Sequence, residues 1–282
     1  MTSGDLQRDW RVTEIRKPTV SVVIPARNEA LSLPHVFAAL DPDLHEVILV
    51  DGGSVDDTID VAERLWPGII VVSQTRQGKG NALACGFEVA TGDLIVMLEA
   101  DGSADPAEIP RFVEALARGA DFAKGTRFLP GAGSSDLSRL RRVGNHCLSR
   151  VFNLVYRTRF TDLCYGYNAF RRDCLPAMGL VAKEIDGHDG RSMVWGDGFE
   201  VEALISVRIA MMGLRVTEVP SFEHARLFGA SNLNAFTDGI RVLRTIQRER
   251  RRSSRELRQP VGSENPEDAP WRVRPRLAEE AI

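Results

Sequence analysis

The sequence predicts an α/β fold in one domain with a mostly parallel central sheet, and three observations carry that reading. From Thr19 to about residue 125, short β-branched runs alternate with amphipathic segments, the pattern of repeated βα units. Several of those runs are apolar at consecutive positions, as strands covered on both faces are. No GxGxxG follows the first run, which argues against a doubly wound dinucleotide-binding dehydrogenase.

The runs at 20–24, 46–50, 69–72, 93–98 and 122–124 are read as strands, with helices expected over 33–40, 56–65, 80–90 and 106–118. Ser54 with Asp57, and Asp105 before Pro106, supply capping groups for the second and fourth helices. Past residue 128 the expectation is a basic amphipathic segment over 138–159, a loop over 162–172, a helix over 199–212 and a strand over 215–219. Four segments follow: an N-terminal tail 1–18, a domain 19–232, an Arg-rich helix 233–252 and a tail 253–282. The last carries too many prolines and charges to bury a core by itself.

Composition narrows the function. At 282 residues, 43% hydrophobic and 27% charged, the chain is neither fibrous nor wholly disordered. Its 36 basic and 39 acidic residues leave a net charge of −3, so no global basic field points to nucleic acid. Cys85, Cys147, Cys164 and Cys174 form no CxxC pair, which is read as reduced thiols. No apolar run is long enough to span a bilayer, and the first 18 residues lack a signal-peptide core, so a cytoplasmic protein is expected. Two Arg-rich amphipathic stretches, 138–160 and 241–258, allow peripheral contact with an anionic membrane, and equally suit ordinary solvated helices.

Open α/β sheets bind ligands beyond the carboxyl ends of their strands, so those junctions are where chemistry is sought. The first strand runs into Pro25-Ala-Arg-Asn-Glu29, the second into Asp51-Gly-Gly-Ser-Val-Asp-Asp-Thr58 and the fourth into Glu99-Ala-Asp-Gly102. A single acidic residue there is as readily a helix cap as a ligand. Two carboxylates at i and i+2 are a sharper signal, because hard cations use one or two carboxylates together with substrate phosphates. Arg127 follows the fifth strand as a candidate phosphate-binding cation.

With Gly78-Lys-Gly-Asn-Ala82, Thr91-Gly-Asp93 and Gly125-Thr-Arg-Phe128, these motifs in order resemble the family 2 glycosyltransferases. The branch in question is similar to dolichyl-phosphate mannosyltransferase and polyprenyl-phosphate glucosyltransferases, and the resemblance covers about 19–232. It implies a GT-A (Rossmann-like) fold and metal-dependent inverting transfer of mannose or glucose from a nucleoside-diphosphate sugar, GDP-mannose or UDP-glucose. The implied acceptor is a polyprenyl or dolichyl phosphate, with a soluble small molecule or saccharide as the alternative. Pro25, Ala26, Asn28, Glu29, Asp51 and Gly53 would surround base and ribose, with Lys79 near the diphosphate.

Glu99-Ala100-Asp101 matches the family's DxD motif. Asp101 and Glu99 are the implied metal residues for Mg2+ or Mn2+, with Asp101 the direct ligand and Glu99, longer by a methylene than the usual Asp, expected to act through a ribose or water-mediated contact. Asp162 and Glu200 are the implied candidates for sugar or acceptor contact. For Asp162 the bland alternative is a loop cap or a partner for Arg171, and Asp197 reads equally as a helix cap or an acceptor contact. Arg226 and Ser231 resemble the RxxGxSK motif that closes on phosphates, with Asn232 replacing its Lys.

Overall fold

The β-branched runs and the amphipathic segments between them form the expected alternation in a computed structural model, which describes residues 17–183, 192–229 and 235–256. The first half comprises β1 (Val20–Ala26), α1 (Leu33–Ala38), β2 (Glu46–Asp51), α2 (Thr58–Leu65), β3 (Ile70–Ser73), α3 (Lys79–Val89), β4 (Leu94–Met97), α4 (Ile109–Ala117) and β5 (Phe122–Thr126). There follow β6 (Gly133–Ser134), α5 (Arg139–Tyr156), β7 (Asn168–Arg171), α6 (Leu175–Met178), α7 (Val201–Met211), β8 (Val216–Pro220), β9 (Phe222–Glu223) and α8 (Ala235–Glu256).

Seven strands form one sheet in the order β3-β2-β1-β4-β7-β5-β8, and β6 pairs with β9 beside it. All pairings in the large sheet are parallel except those of β7, which runs antiparallel between β4 and β5. This strand lies where the sequence suggested only a loop. Its four residues are flanked by Gly166 and open on a polar Asn168, so neither length nor alternation marks them.

Side chains of alternate strand residues enter two cores. Val22, Ile24, Leu49 and Val96 meet α1, α2 and α4 on one face. Val23, Ile48, Met97 and Phe170 meet α3, α5, α7 and α8 on the other. Phe112 and Phe170 are fully buried, and each such side chain contributes roughly 1.5–3 kcal/mol of transfer free energy.

Helix starts follow the expected chemistry with one exchange. Asp105 accepts a hydrogen bond from the Ala107 amide at 2.9 Å, and Ser138 caps α5 by accepting from the Arg141 amide at 3.2 Å. Asp57 makes no capping bond, and Asp56 instead accepts from the Thr58 amide at 3.1 Å. Helix α8 covers the described part of the expected 233–252 and runs on to Glu256, while residues 1–16, 230–234 and 257–282 lie outside the described residues. The register pairs Ala26 with Asp51, so the loops after β1 and β2 leave the sheet side by side at its carboxyl edge.

Candidate functional site

A cavity of about 890 Å3 opens on that edge. Its first half is built from strand ends and the start of α3: Pro25, Ala26, Arg27 and Glu29 after β1, Gly52 after β2, Glu99 to Asp101 after β4, and Gly78 with Lys79. The same cavity continues between α5 and α8, where Leu140, Gly144 and Leu148 face Ile240, Val242 and Leu243. The Tyr156 hydroxyl donates to the Ile246 carbonyl at 2.9 Å and ties these two helices together.

The strand-end loops are held by their own polar groups. Asp51 stands beside the cavity, its carboxylate accepting from the Gly53 and Ser54 amides at 3.0 and 3.1 Å. Asn28, with a left-handed φ of 57°, accepts from the Val55 amide at 2.8 Å and so joins the first two loops. Glu29 lines the cavity, accepts from Ser32 and forms an ion pair with Arg226. Burial raises the Glu29 pKa, against the pull of Ser32 and Arg226. Arg226 also stands 3.6 Å from Asp101, whose other oxygen accepts from the Ser103 amide at 2.9 Å.

Lys79 lies at the seam between the two halves, where it bonds Glu99 on one side and Glu202 at 2.5 Å on the other. The Glu99 carboxylate is thus held by Lys79. Burial raises the Glu99 pKa while Lys79 opposes the shift. The three charged tips meet over Gly166, where a Cβ would stand 2.6 Å from the Glu99 oxygen and 2.9 Å from Lys79 Nζ.

Arg127 lines the cavity, and its guanidinium is already held by two carboxylates. Its Nε and Nη2 donate to Asp162 at 2.7 and 2.9 Å and its Nη1 donates to Glu223 at 3.0 Å, while Tyr165 lies 4.9 Å below the guanidinium. Asp162 is 0% exposed and absent from the cavity wall. Its partner is Arg127, whereas Arg171 donates to the carbonyls of Leu116 and Ala120. Glu200 likewise turns back to accept from the Gly196 amide at 3.1 Å, so Glu202, two residues on, is the carboxylate of α7 that reaches the cavity.

Asp197 is neither helix cap nor cavity residue. It takes a bidentate pair from the buried Arg76, at 2.8 Å for each bond. Its carbonyl accepts from the Gly80 amide at 2.7 Å, an approach that only glycine permits, since a Cβ at Gly80 would stand 1.8 Å from the Gly196 oxygen. Arg76 thereby docks the segment before α7 onto the start of α3.

Among the described residues no group of three or more His, Cys, Asp or Glu is placed to hold a metal ion. Asp101 nevertheless fits the hard divalent cation that the family implies. It offers one carboxylate oxygen to the cavity beside room for substrate phosphates, the donor set Mg2+ prefers. Glu99 lines the same cavity and is paired with Lys79. Ser231 lies outside the described residues. The four cysteines are free thiols.

Sequence reasoning missed Glu202, Glu223 and Arg76. Glu223 lies just past β8, so the strand-end rule would have found it. Arg76 and Glu202 carry no such signal, because only the tertiary approach of α7 to α3 gives them partners.

Comparison with known proteins agrees with this geometry. A family model described as glycosyl transferase family 2 matches residues 21–178. An undecaprenyl-phosphate mannosyltransferase of Micrococcus luteus is 33% identical over 79% of this chain and 91% of its own length. The glycosyltransferase AglJ of Haloferax volcanii is 31% identical over 78% of this chain and 68% of its own. Among solved structures, glucosyl-3-phosphoglycerate synthase from Mycobacterium tuberculosis, with Mn2+, uridine diphosphate and glucosyl-3-phosphoglycerate, superposes with a TM-score of 0.60. It is 23% identical and covers 83% of this chain and 80% of that one. The chain therefore belongs to glycosyl transferase family 2, a glycosyltransferase built on the GT-A fold.

Proposed function

We propose that the chain transfers a hexose, with inversion, from a nucleoside-diphosphate sugar to a polyprenyl phosphate at a membrane surface. The single observation that carries this reading is the continuity of one cavity from the charged strand ends into an apolar channel between α5 and α8. A nucleoside diphosphate needs the first half, and an isoprenoid tail suits the second. A soluble acceptor would leave that channel without a role. The name of the Micrococcus luteus relative supports the lipid acceptor.

In this reading Pro25, Ala26, Asn28, Glu29, Asp51 and Gly53 shape the base and ribose site, and the donor is GDP-mannose or UDP-glucose. Asp101 holds Mg2+ or Mn2+, which would neutralise charge on the departing diphosphate. Lys79, beside Glu99 and Ala100, lies where the β-phosphate and sugar meet. Arg226 with Ser231 closes on the phosphates, those of the donor as it loads and then that of the acceptor. Asp162 and Glu200 act through Arg127 and Gly196, as positioning residues.

The cavity carboxylates Glu29, Glu99, Asp136, Glu202 and Glu223 each hold an ion pair. An acceptor that arrives as an ionised phosphate monoester asks none of them to take a proton.

Leu140, Val143, Val151 and Leu154 of α5 and Leu243 of α8 are exposed, with Arg139, Arg142, Arg150 and Arg244 near them in sequence. Apolar side chains among cations suit the headgroup region of an anionic bilayer. No helix among the described residues is long and apolar enough to cross a membrane. In this reading the enzyme acts peripherally on the cytoplasmic face, with the nucleotide sugar supplied from the aqueous side.

The test is incubation with labelled GDP-mannose or UDP-glucose, Mn2+, and either undecaprenyl phosphate or 3-phosphoglycerate. Label entering the organic phase with the lipid supports the reading. Transfer to the soluble phosphate alone would replace it with the soluble-acceptor alternative.

A further inference from the structure

The segment that follows β9 folds back across the strand ends, and its first cation rests on the carboxylates of the donor half. Arg226 pairs with Glu29 and stands 3.6 Å from Asp101. The Leu227 amide donates to the Asp101 carbonyl at 3.1 Å, and the Leu227 side chain covers Gly102. The Phe228 ring lies 6.0 Å from that of His35 on α1. Glu29 and Asp101 are like charges close enough to feel each other, and Arg226 is the cation between them.

We infer that Arg226 is the resting counter-cation of Asp101 and Glu29, and that a divalent cation loads on Asp101 by displacing it. This rests on the assignment of Asp101 as the cation ligand made above. A guanidinium and a divalent ion cannot share that carboxylate without strong repulsion, so each lowers the affinity of the site for the other. The displaced guanidinium belongs to a segment anchored at both Asp101 and α1. It is therefore released within reach of the phosphates that arrive with the ion. Arg226 thus keeps two buried-edge carboxylates compensated before the donor binds, and couples cation loading to its own move onto phosphate.

The test is titration of the full chain with Mn2+ in the absence of nucleotide, free ion being read by electron paramagnetic resonance. Arg226→Gln should bind Mn2+ about tenfold more tightly than the unsubstituted chain, a coupling of ordinary size. Arg27→Gln, which removes another cation lining the cavity, should change affinity by less than about threefold, the size of a screened pair. Addition of UDP should reverse the order, because Arg226 then contributes to phosphate.

Unchanged or weaker Mn2+ binding in Arg226→Gln overturns the inference. Asp101→Asn separates the two claims: if Mn2+ affinity does not depend on Asp101, the cation assignment itself fails. Hydrogen exchange of the Leu227 amide is a second readout: its bond to the Asp101 carbonyl is the anchor that keeps the displaced guanidinium near the phosphates, so exchange should stay as slow with Mn2+ as without it, and quickened exchange overturns the inference.

Discussion

Replacing Arg127 with Met separates two roles that the sequence alone left confused. A phosphate-binding arginine at a strand end is a solvated charge, and its loss changes stability by about 0.5 kcal/mol or less. In the structure Arg127 is 6% exposed and bonded to Asp162 and Glu223, with Asp162 wholly buried. Met keeps much of the packing of the arginine stem but removes the guanidinium that bonds Asp162, leaving only the charge of the buried Lys124 to offset it. Breaking a buried pair from one side costs about 3–5 kcal/mol. That is a large part of the roughly 5–15 kcal/mol that holds a typical domain.

The assay is equilibrium urea unfolding of the ligand-free protein, followed by tryptophan fluorescence and circular dichroism. Arg127→Met/Asp162→Asn should recover at least about half of the loss, since the orphaned charge is the larger part of the penalty. A destabilisation below about 1 kcal/mol, or strict additivity of the two substitutions, would refute the argument and return Arg127 to the phosphates.

Four further outcomes follow from the same structure. Asp101→Asn should abolish cation-dependent donor binding in calorimetry while the unfolding midpoint stays within about 0.5 kcal/mol, because Asp101 is partly exposed. Leu140→Asp with Leu243→Asp should end binding to anionic vesicles and transfer to polyprenyl phosphate, yet leave UDP or GDP binding unchanged. Cys164 is exposed on the cavity wall, where the crowded wall and the nearby Asp162 push its thiol up to about 12, so at pH 8 iodoacetamide should reach it yet label it more than about a hundredfold more slowly than a free thiol.

Glu46 is the acid-sensitive contact. Burial would raise its pKa, but hydrogen bonds from Ser21, Thr91 and Gly92 outweigh that and lower it. A lowered folded pKa means stability that is present above the unfolded value of 4.5 and lost as pH falls through the folded one. Glu46→Gln should therefore flatten the acid limb of stability measured by urea unfolding, and an unaltered limb would remove Glu46 from the account.

The sheet was legible in the sequence because its strands are consecutive apolar residues between capped helices, so periodicity and local chemistry agree. Strand β7 was hidden because four residues with a polar first member, set among glycines and tyrosines, look like a loop until β4 and β5 are seen to flank them. The strand-end motifs led to Glu29, Glu99 and Asp101, which line one cavity. What the motifs could not say is which carboxylate faces in. Glu200 precedes α7 and Glu202 lies in its first turn, and with the preceding segment docked through Arg76 and Asp197 the first bonds back to the Gly196 amide and the second reaches Lys79. The pairing of Arg127 was hidden for the same reason, because its partners Asp162 and Glu223 are 35 and 96 residues away.

The central claim is that the channel between α5 and α8 receives a lipid whose phosphate reaches the strand ends. It is tested most directly by photocrosslinking with a prenyl phosphate that bears a diazirine on its tail, followed by peptide mapping. The account predicts adducts on α5 and α8, around Leu140, Leu148 and Leu243, that disappear when undecaprenyl phosphate competes. Adducts scattered over other surfaces, or label on these helices that the lipid phosphate fails to displace, would contradict it.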